Sequence, residues 1–195
     1  MSIASERKRC KAFRPVGAMA IAAFVLTVPA ANWMVLNVGS TCVPDGPCLI
    51  PVWHGVMAPS GVALAGLSLV LLDLVQEEVG VRWALAAVIA GAIIAAVVAT
   101  PQLAVASACA FVVAEFVDLL IYTALRGRGF FVASLTSSIA GLLLDSLIFV
   151  WVAFGSADLL LGQSLGKAWM VLAVTPILYL IRRGAWIEAR ARRPG

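Results

Sequence analysis

Six long runs of almost uninterrupted apolar residues constrain this chain more than any other feature. They extend over Val16–Val38, Val56–Gln76, Trp83–Thr100, Leu103–Leu125, Val132–Phe154 and Leu165–Ile181. A helix rises about 1.5 Å per residue and the hydrocarbon core of a bilayer is about 30 Å thick, so each run has roughly the length of a membrane span. The runs are apolar on nearly every side and lack the strict alternation of a barrel strand, which leaves helices. Composition agrees: 63% of the 195 residues are hydrophobic and 12% are charged, where a soluble domain carries about 25% charged residues. Such a balance argues against a soluble enzyme, a disordered regulator and a nucleic-acid binder. The sequence predicts an all-α polytopic membrane protein, a bundle of six transmembrane helices. It forms a single integral membrane domain over residues 1–195, with a basic leader at 1–15 and a basic tail at 182–195. The first run is too long and continuous for a cleaved secretory signal, and Pro29, Asn32 and Asn37 within it suit a working helix.

The basic residues set an orientation. With six spans and the N-terminus inside, Arg7, Lys8, Arg9, Lys11, Arg14, Arg82, Arg126, Arg128, Arg182, Arg183, Arg190, Arg192 and Arg193 all fall on the inner side, 13 of the 14 Lys and Arg residues. So lopsided a split predicts that both termini are cytoplasmic and that the chain lies in the cell (inner) membrane. Lys167, the exception, is expected at the outer edge of the last span with its ammonium snorkelling to the interface. The net charge of +4 then reads as a topology signal, with anionic lipid rather than nucleic acid as the partner of the Arg-rich tail.

Cysteines divide by side. Cys10 lies in the leader and Cys109 inside a span, while Cys42 and Cys48 share one short outer loop, where an oxidising exterior would let them form a disulfide. With no CxxC, no paired His and no thiolate cluster, neither a metal site nor a cofactor is expected.

The acids inside the runs carry the functional signal. An ionisable side chain at mid-bilayer costs about 2.5–3.5 kcal/mol even on lenient insertion scales. Asp73 lies in the second run, Glu115 and Asp118 in the fourth and Asp145 in the fifth, with Glu77 near the inner end of the second and within reach of water and Arg82. No Lys or Arg is expected inside a span to neutralise them. Helical spacing places Phe111, Glu115, Asp118 and Tyr122 along one face, and Ser134, Ser138, Gly141, Asp145 and Phe149 along another. Gly66, Asp73, Glu77 and Gly80 form a third stripe, in which glycine admits a close neighbour. These three stripes predict one shared cavity, joined by Asn32 from the first run and by Trp53 and His54 from the outer loop. Carboxylates accept hydrogen bonds and rings offer flat faces, so such a cavity suits a planar ligand rich in N–H donors, or a cation. Asp73, Glu77 and Asp145 are also candidates for coupling to a proton.

Two stretches resemble a known family. Leu49-Ile50-Pro51-Val52, Ala58-Pro59-Ser60-Gly61-Val62 and Leu71-Leu72-Asp73-Leu74-Val75-Gln76-Glu77 are similar to the second-span region of the VUT family of queuosine-precursor transporters. So is Ala114-Glu115-Phe116-Val117-Asp118-Leu119-Leu120-Ile121-Tyr122, followed by Arg126–Arg128, Ser134–Ser138 and Leu144-Asp145-Ser146. Relatives with a Leu-Arg-Asp motif carry Arg where this chain has Leu72, so the resemblance does not extend to an Arg–Asp pairing at that position. The resemblance implies import of 7-deazaguanine bases such as 7-cyano-7-deazaguanine for tRNA queuosine modification. It also implies a polar core of Asp73, Glu115, Asp118, Ser134, Ser138 and Asp145. A 7-deazaguanine presents a ring N–H and an exocyclic amine on one edge, which one carboxylate can accept in bidentate fashion. Glu115 or Asp118 is expected to hold that edge.

The leading expectation is thus a transporter of a small-molecule substrate, not an enzyme. Its alternative is the substrate-binding subunit of a multi-component ATP-driven importer, docking through Ala18 and Ala22 on the first span. Homo-oligomerisation stays open, as does the choice among the cyano base, the aminomethyl base and queuine. Aspartyl intramembrane proteolysis is disfavoured because neither a Tyr-Asp nor a Gly-x-Gly-Asp motif occurs.

Overall fold

The computed structural model describes residues 15–44, 46–98, 101–155 and 157–191. The basic leader up to Arg14, Cys10 within it, Thr100, and Arg192 and Arg193 of the tail lie outside the described residues. Six helices form: α1 (Pro15–Asn37), α2 (Val62–Val79), α3 (Val81–Val98), α4 (Pro101–Leu125), α5 (Phe130–Phe154) and α6 (Leu160–Ala191). Their outer faces are apolar and exposed, with Met19, Ile89, Val97, Leu161 and Leu180 all more than half exposed, while Asp73, Glu115, Asp118 and Lys167 are inside. Apolar exterior and polar interior is the distribution expected of a helix bundle solvated by lipid. Among the described residues, four stretches are long and apolar enough to cross a membrane: Val16–Asn37, Val105–Arg128, Phe130–Ala153 and Leu160–Ile181. The apolar stretch of α3 is shorter, and α2 spends three of its 18 residues on Asp73, Glu77 and Glu78.

Two boundaries differ from the sequence expectation. The second run does not start as helix at Val56, because Val56–Pro59 is a strand and α2 begins at Val62. Pro51 and Pro59 lack the N–H that a helix interior needs, and His54-Gly55 makes a two-residue hairpin turn in which Gly55 supplies the positive φ of 73°. The result is a small antiparallel sheet in the order β1 (Thr41–Cys42), β2 (Cys48–Trp53), β3 (Val56–Pro59). Cys42 pairs with Cys48 across β1 and β2, and the two are joined by a disulfide. The last helix begins at Leu160 rather than Leu165, and that shift decides where Lys167 lies.

Tight joints link the helices. Gly80, at φ 98°, separates α2 from α3, and Gly129, at φ 100°, follows the 3₁₀ turn Arg126–Arg128 to start α5. Both sit where an L side chain would be strained. The α4–α5 hairpin that results is the most extensive helix pair. At its crossing a Cβ on Gly141 would stand 3.3 Å from that of Asp118 and 2.9 Å from Leu69. In α1, Pro29 removes one backbone donor, and Asn32 Nδ2 returns a hydrogen bond to Val28 O at 3.0 Å.

Candidate functional site

The structure gathers the buried polar residues into two groups, not one. The first lines a cavity of about 120 Å³ to which all six helices contribute. Glu115 and Phe111 come from α4, Asp145 and Phe149 from α5, Asn32 and Thr27 from α1, Ser68 from α2 and Ala95 from α3. Gln163 and Lys167 complete the wall from α6. Glu115 is held at one oxygen only: Ser68 Oγ donates to Oε1 at 2.9 Å, while Oε2 is buried without a hydrogen-bond partner. Phe111 packs against Phe24 with ring centroids 5.9 Å apart. It also lies so close to Gly91 that a Cβ there would be 2.9 Å from the ring. Contact on that side fixes the ring's position in the wall.

Opposite charge enters through Lys167, and the expectation for this residue needs correcting. Lys167 is not at an outer edge reaching for water. It is 2% exposed, and its ammonium donates to Asp145 Oδ2 and, at 3.2 Å, to Ser146 Oγ. A basic residue therefore does neutralise one of the buried acids, contrary to the expectation that no span interior holds one. The site is possible because α2 and α6 touch backbone to backbone: a Cβ on Gly66 would fall 2.6 Å from Lys167 O. Gln163 and Lys167 stand one turn apart on the same face of α6. That spacing was the available signal for both, hidden by starting the span at Leu165. Ser68, also missed, is a lone hydroxyl in an apolar stretch.

The second group lies deeper, between α2, α4 and α5. Asp73 and Asp118 adjoin each other there, with Ser134, Ser137 and Ser138, and all five are fully buried. Ser137 Oγ donates to Asp73 at 3.3 and 3.4 Å and Ser138 Oγ at 3.3 Å. Both oxygens of Asp118 and the hydroxyl of Ser134 have no hydrogen-bond partner. None of the five lines the cavity, so the shared cavity expected for Asp73, Asp118, Ser134 and Ser138 together with Glu115 and Asp145 is replaced by two compartments. The physical reason is the narrow α4–α5 crossing at Gly141, which closes the space between Asp118 and the cavity floor.

Glu77 belongs to neither group. It accepts a hydrogen bond from Tyr122 Oη at 2.9 Å and faces Arg126 at 4.0 Å, where Arg82 was expected. Trp53 and His54 also lie outside the cavity. Trp53, exposed on the hairpin, stacks on Trp169 at 5.8 Å, and His54 meets Trp53 edge-on at 6.2 Å. Trp169 Nε1 donates to Val52 O at 3.3 Å, tying the hairpin to α6.

Residues 95–181 match the model of a family described as "Putative vitamin uptake transporter". Over this segment, somewhat less than half of its length, the chain is similar to the VUT family. The VUT match takes in Phe111, Glu115, Asp118, Ser134, Ser138, Asp145 and Lys167, so both polar compartments draw residues from it. It indicates an uptake transporter and points away from catalysis. No curated protein and no solved structure matches the chain.

Proposed function

We propose that the protein imports a 7-deazaguanine base, a queuosine precursor, and binds it in the six-helix cavity. The observation that carries this reading is Glu115, a buried carboxyl on the wall with one oxygen steadied by Ser68 and the other unpartnered. The ring N–H and exocyclic amine of the base would donate to that carboxyl, a charge-assisted pairing worth about 1.5–3 kcal/mol per bond. Gln163, Asn32 and Lys167 carry the N–H donors that its carbonyl needs, and Phe111 and Phe149 flank a planar bicycle. Asp118, outside the cavity, does not take part in this contact.

The same reading has all six helices crossing the cell membrane as one integral unit, with both termini cytoplasmic. Helix α2 would be tolerated as a span because its acids face the interior. The test is uptake of labelled 7-cyano-7-deazaguanine by cells that cannot make it. Glu115→Gln is expected to lower uptake at limiting substrate by at least about tenfold while the protein still reaches the membrane, and wild-type rates in that variant would sink the proposal. Uptake by the purified protein in liposomes, without ATP or partner, is expected. Strict dependence on an ATP-hydrolysing partner would make it a binding subunit instead.

A further inference from the structure

We infer that the compartment between α2, α4 and α5 is a sodium-binding site, separate from the cavity of Glu115 and resting on the transporter reading only for its purpose. Five side chains from three helices converge there, and every one of them presents oxygen: Asp73, Asp118, Ser134, Ser137 and Ser138. Oxygen-only donor sets without imidazole or thiolate select hard cations. Two adjoining carboxyls in a dry interior, with no Lys or Arg among their recorded partners, require compensation of some kind.

The orphaned atoms distinguish the kinds of compensation. Both oxygens of Asp118 and the hydroxyl of Ser134 make no well-formed hydrogen bond although all are fully buried beside Asp73. A single proton shared between the two carboxyls would occupy at most one oxygen of Asp118 and leave the other without a well-formed hydrogen bond. A metal ion would take all three atoms as ligands. The spacing of the hydroxyls agrees. Na+ has nearly the radius of Ca2+, whose oxygen ligands stand about 2.3–2.6 Å away, so neighbouring ligands around either ion lie roughly 3.4 Å apart. Ser137 and Ser138 stand 3.3–3.4 Å from the oxygens of Asp73, longer than a good hydroxyl–carboxylate hydrogen bond and suited to sharing an ion. Two carboxyls and neutral hydroxyls, rather than a cage of three or four acids, favour a monovalent over a divalent ion.

Position gives the site its use. Asp118 follows Glu115 by one turn of α4, and Asp73 shares α2 with Ser68, the donor that steadies Glu115. Sodium drawing Asp73 and Asp118 together would fix the α2–α4 spacing on which the Ser68–Glu115 bond depends. Substrate would in turn tighten sodium by the same factor, since such coupling is reciprocal.

The first arm of the test needs no substrate. Full-length protein purified in detergent is titrated with radioactive sodium, and folding is followed by elution as a single species. Saturable binding displaced by unlabelled Na+ but not by K+ is expected. Ser134→Ala should weaken it at least about tenfold, the order of loss seen when a metal site loses a supporting group, and Asp118→Asn should abolish it. If Asp118→Asn does not fold, Ser134→Ala alone decides. Absence of sodium binding in the folded wild type overturns the inference, as does binding that Ser134→Ala leaves unchanged. A substrate affinity that follows pH and ignores sodium assigns the compartment to a proton and likewise overturns it. Sodium binding that persists while 7-deazaguanine uptake fails would keep this site and discard the substrate.

Discussion

One compartment of this protein pairs its acid with a basic side chain, and among the described residues the other does not. At the cavity, Asp145 is matched by Lys167, a basic side chain delivered by α6. Between α2, α4 and α5, Asp73 and Asp118 face each other and serine hydroxyls, with no Lys or Arg bonded to them among the described residues. The two compartments share helices and lie about one turn apart along α4, so depth alone does not explain the contrast. A fixed partner suits a wall whose shape must persist through transport. Acids without one suit a site whose counter-charge arrives and leaves. The difference shows that a buried acid is informative chiefly through what neutralises it.

Removing the fixed charge should break the contrast most strongly. Lys167→Met leaves Asp145 uncompensated and should lower stability by about 3 kcal/mol, the lower end of the loss on breaking a buried pair, because Asp145 is partly exposed. Thermal unfolding in detergent measures this, and the double variant Lys167→Met with Asp145→Leu should regain most of it. Next comes Glu115→Gln, which keeps the Ser68 contact but turns one acceptor oxygen into a donor. Substrate binding should weaken by about tenfold to a hundredfold, equivalent to roughly 1.5–3 kcal/mol, with little change in unfolding temperature. Ser68→Ala should cost about 1 kcal/mol in substrate affinity or stability by releasing the second oxygen of Glu115. The smallest effect is expected at His54→Ala on the exposed hairpin turn. Uptake there should stay within about twofold of wild type, since surface changes are usually worth under 0.5 kcal/mol. A large loss would draw the hairpin into the binding site.

Much of this was legible in the sequence because lipid makes polar residues rare and hence visible. The helices, the buried acids, Phe111 and the Cys42 and Cys48 pair all stand out against an apolar background. Their grouping was not visible. Helical periodicity places Glu115 and Asp118 on one face of α4, but whether that face opens on one chamber or two depends on how closely α5 approaches at Gly141. Lys167 was misplaced for a related reason. Hydropathy penalises Gln163 and Lys167, so the apparent span starts after the first and just before the second, although the helix begins at Leu160. A span lining a polar site is the kind whose edge hydropathy trims. The sheet was hidden because Val56-Met57-Ala58 is as apolar as any helix, and short apolar runs do not distinguish strand from helix.

Gly66 does not line the cavity, yet it rests against the backbone of Lys167. Position 66 should therefore be among the least variable in a saturation library selected for uptake, accepting glycine and rejecting even alanine. Tolerance to replacement in this protein would follow how closely two main chains pass, so a survey of mutational sensitivity would mark the α2–α6 contact before it marked some of the side chains that line the cavity.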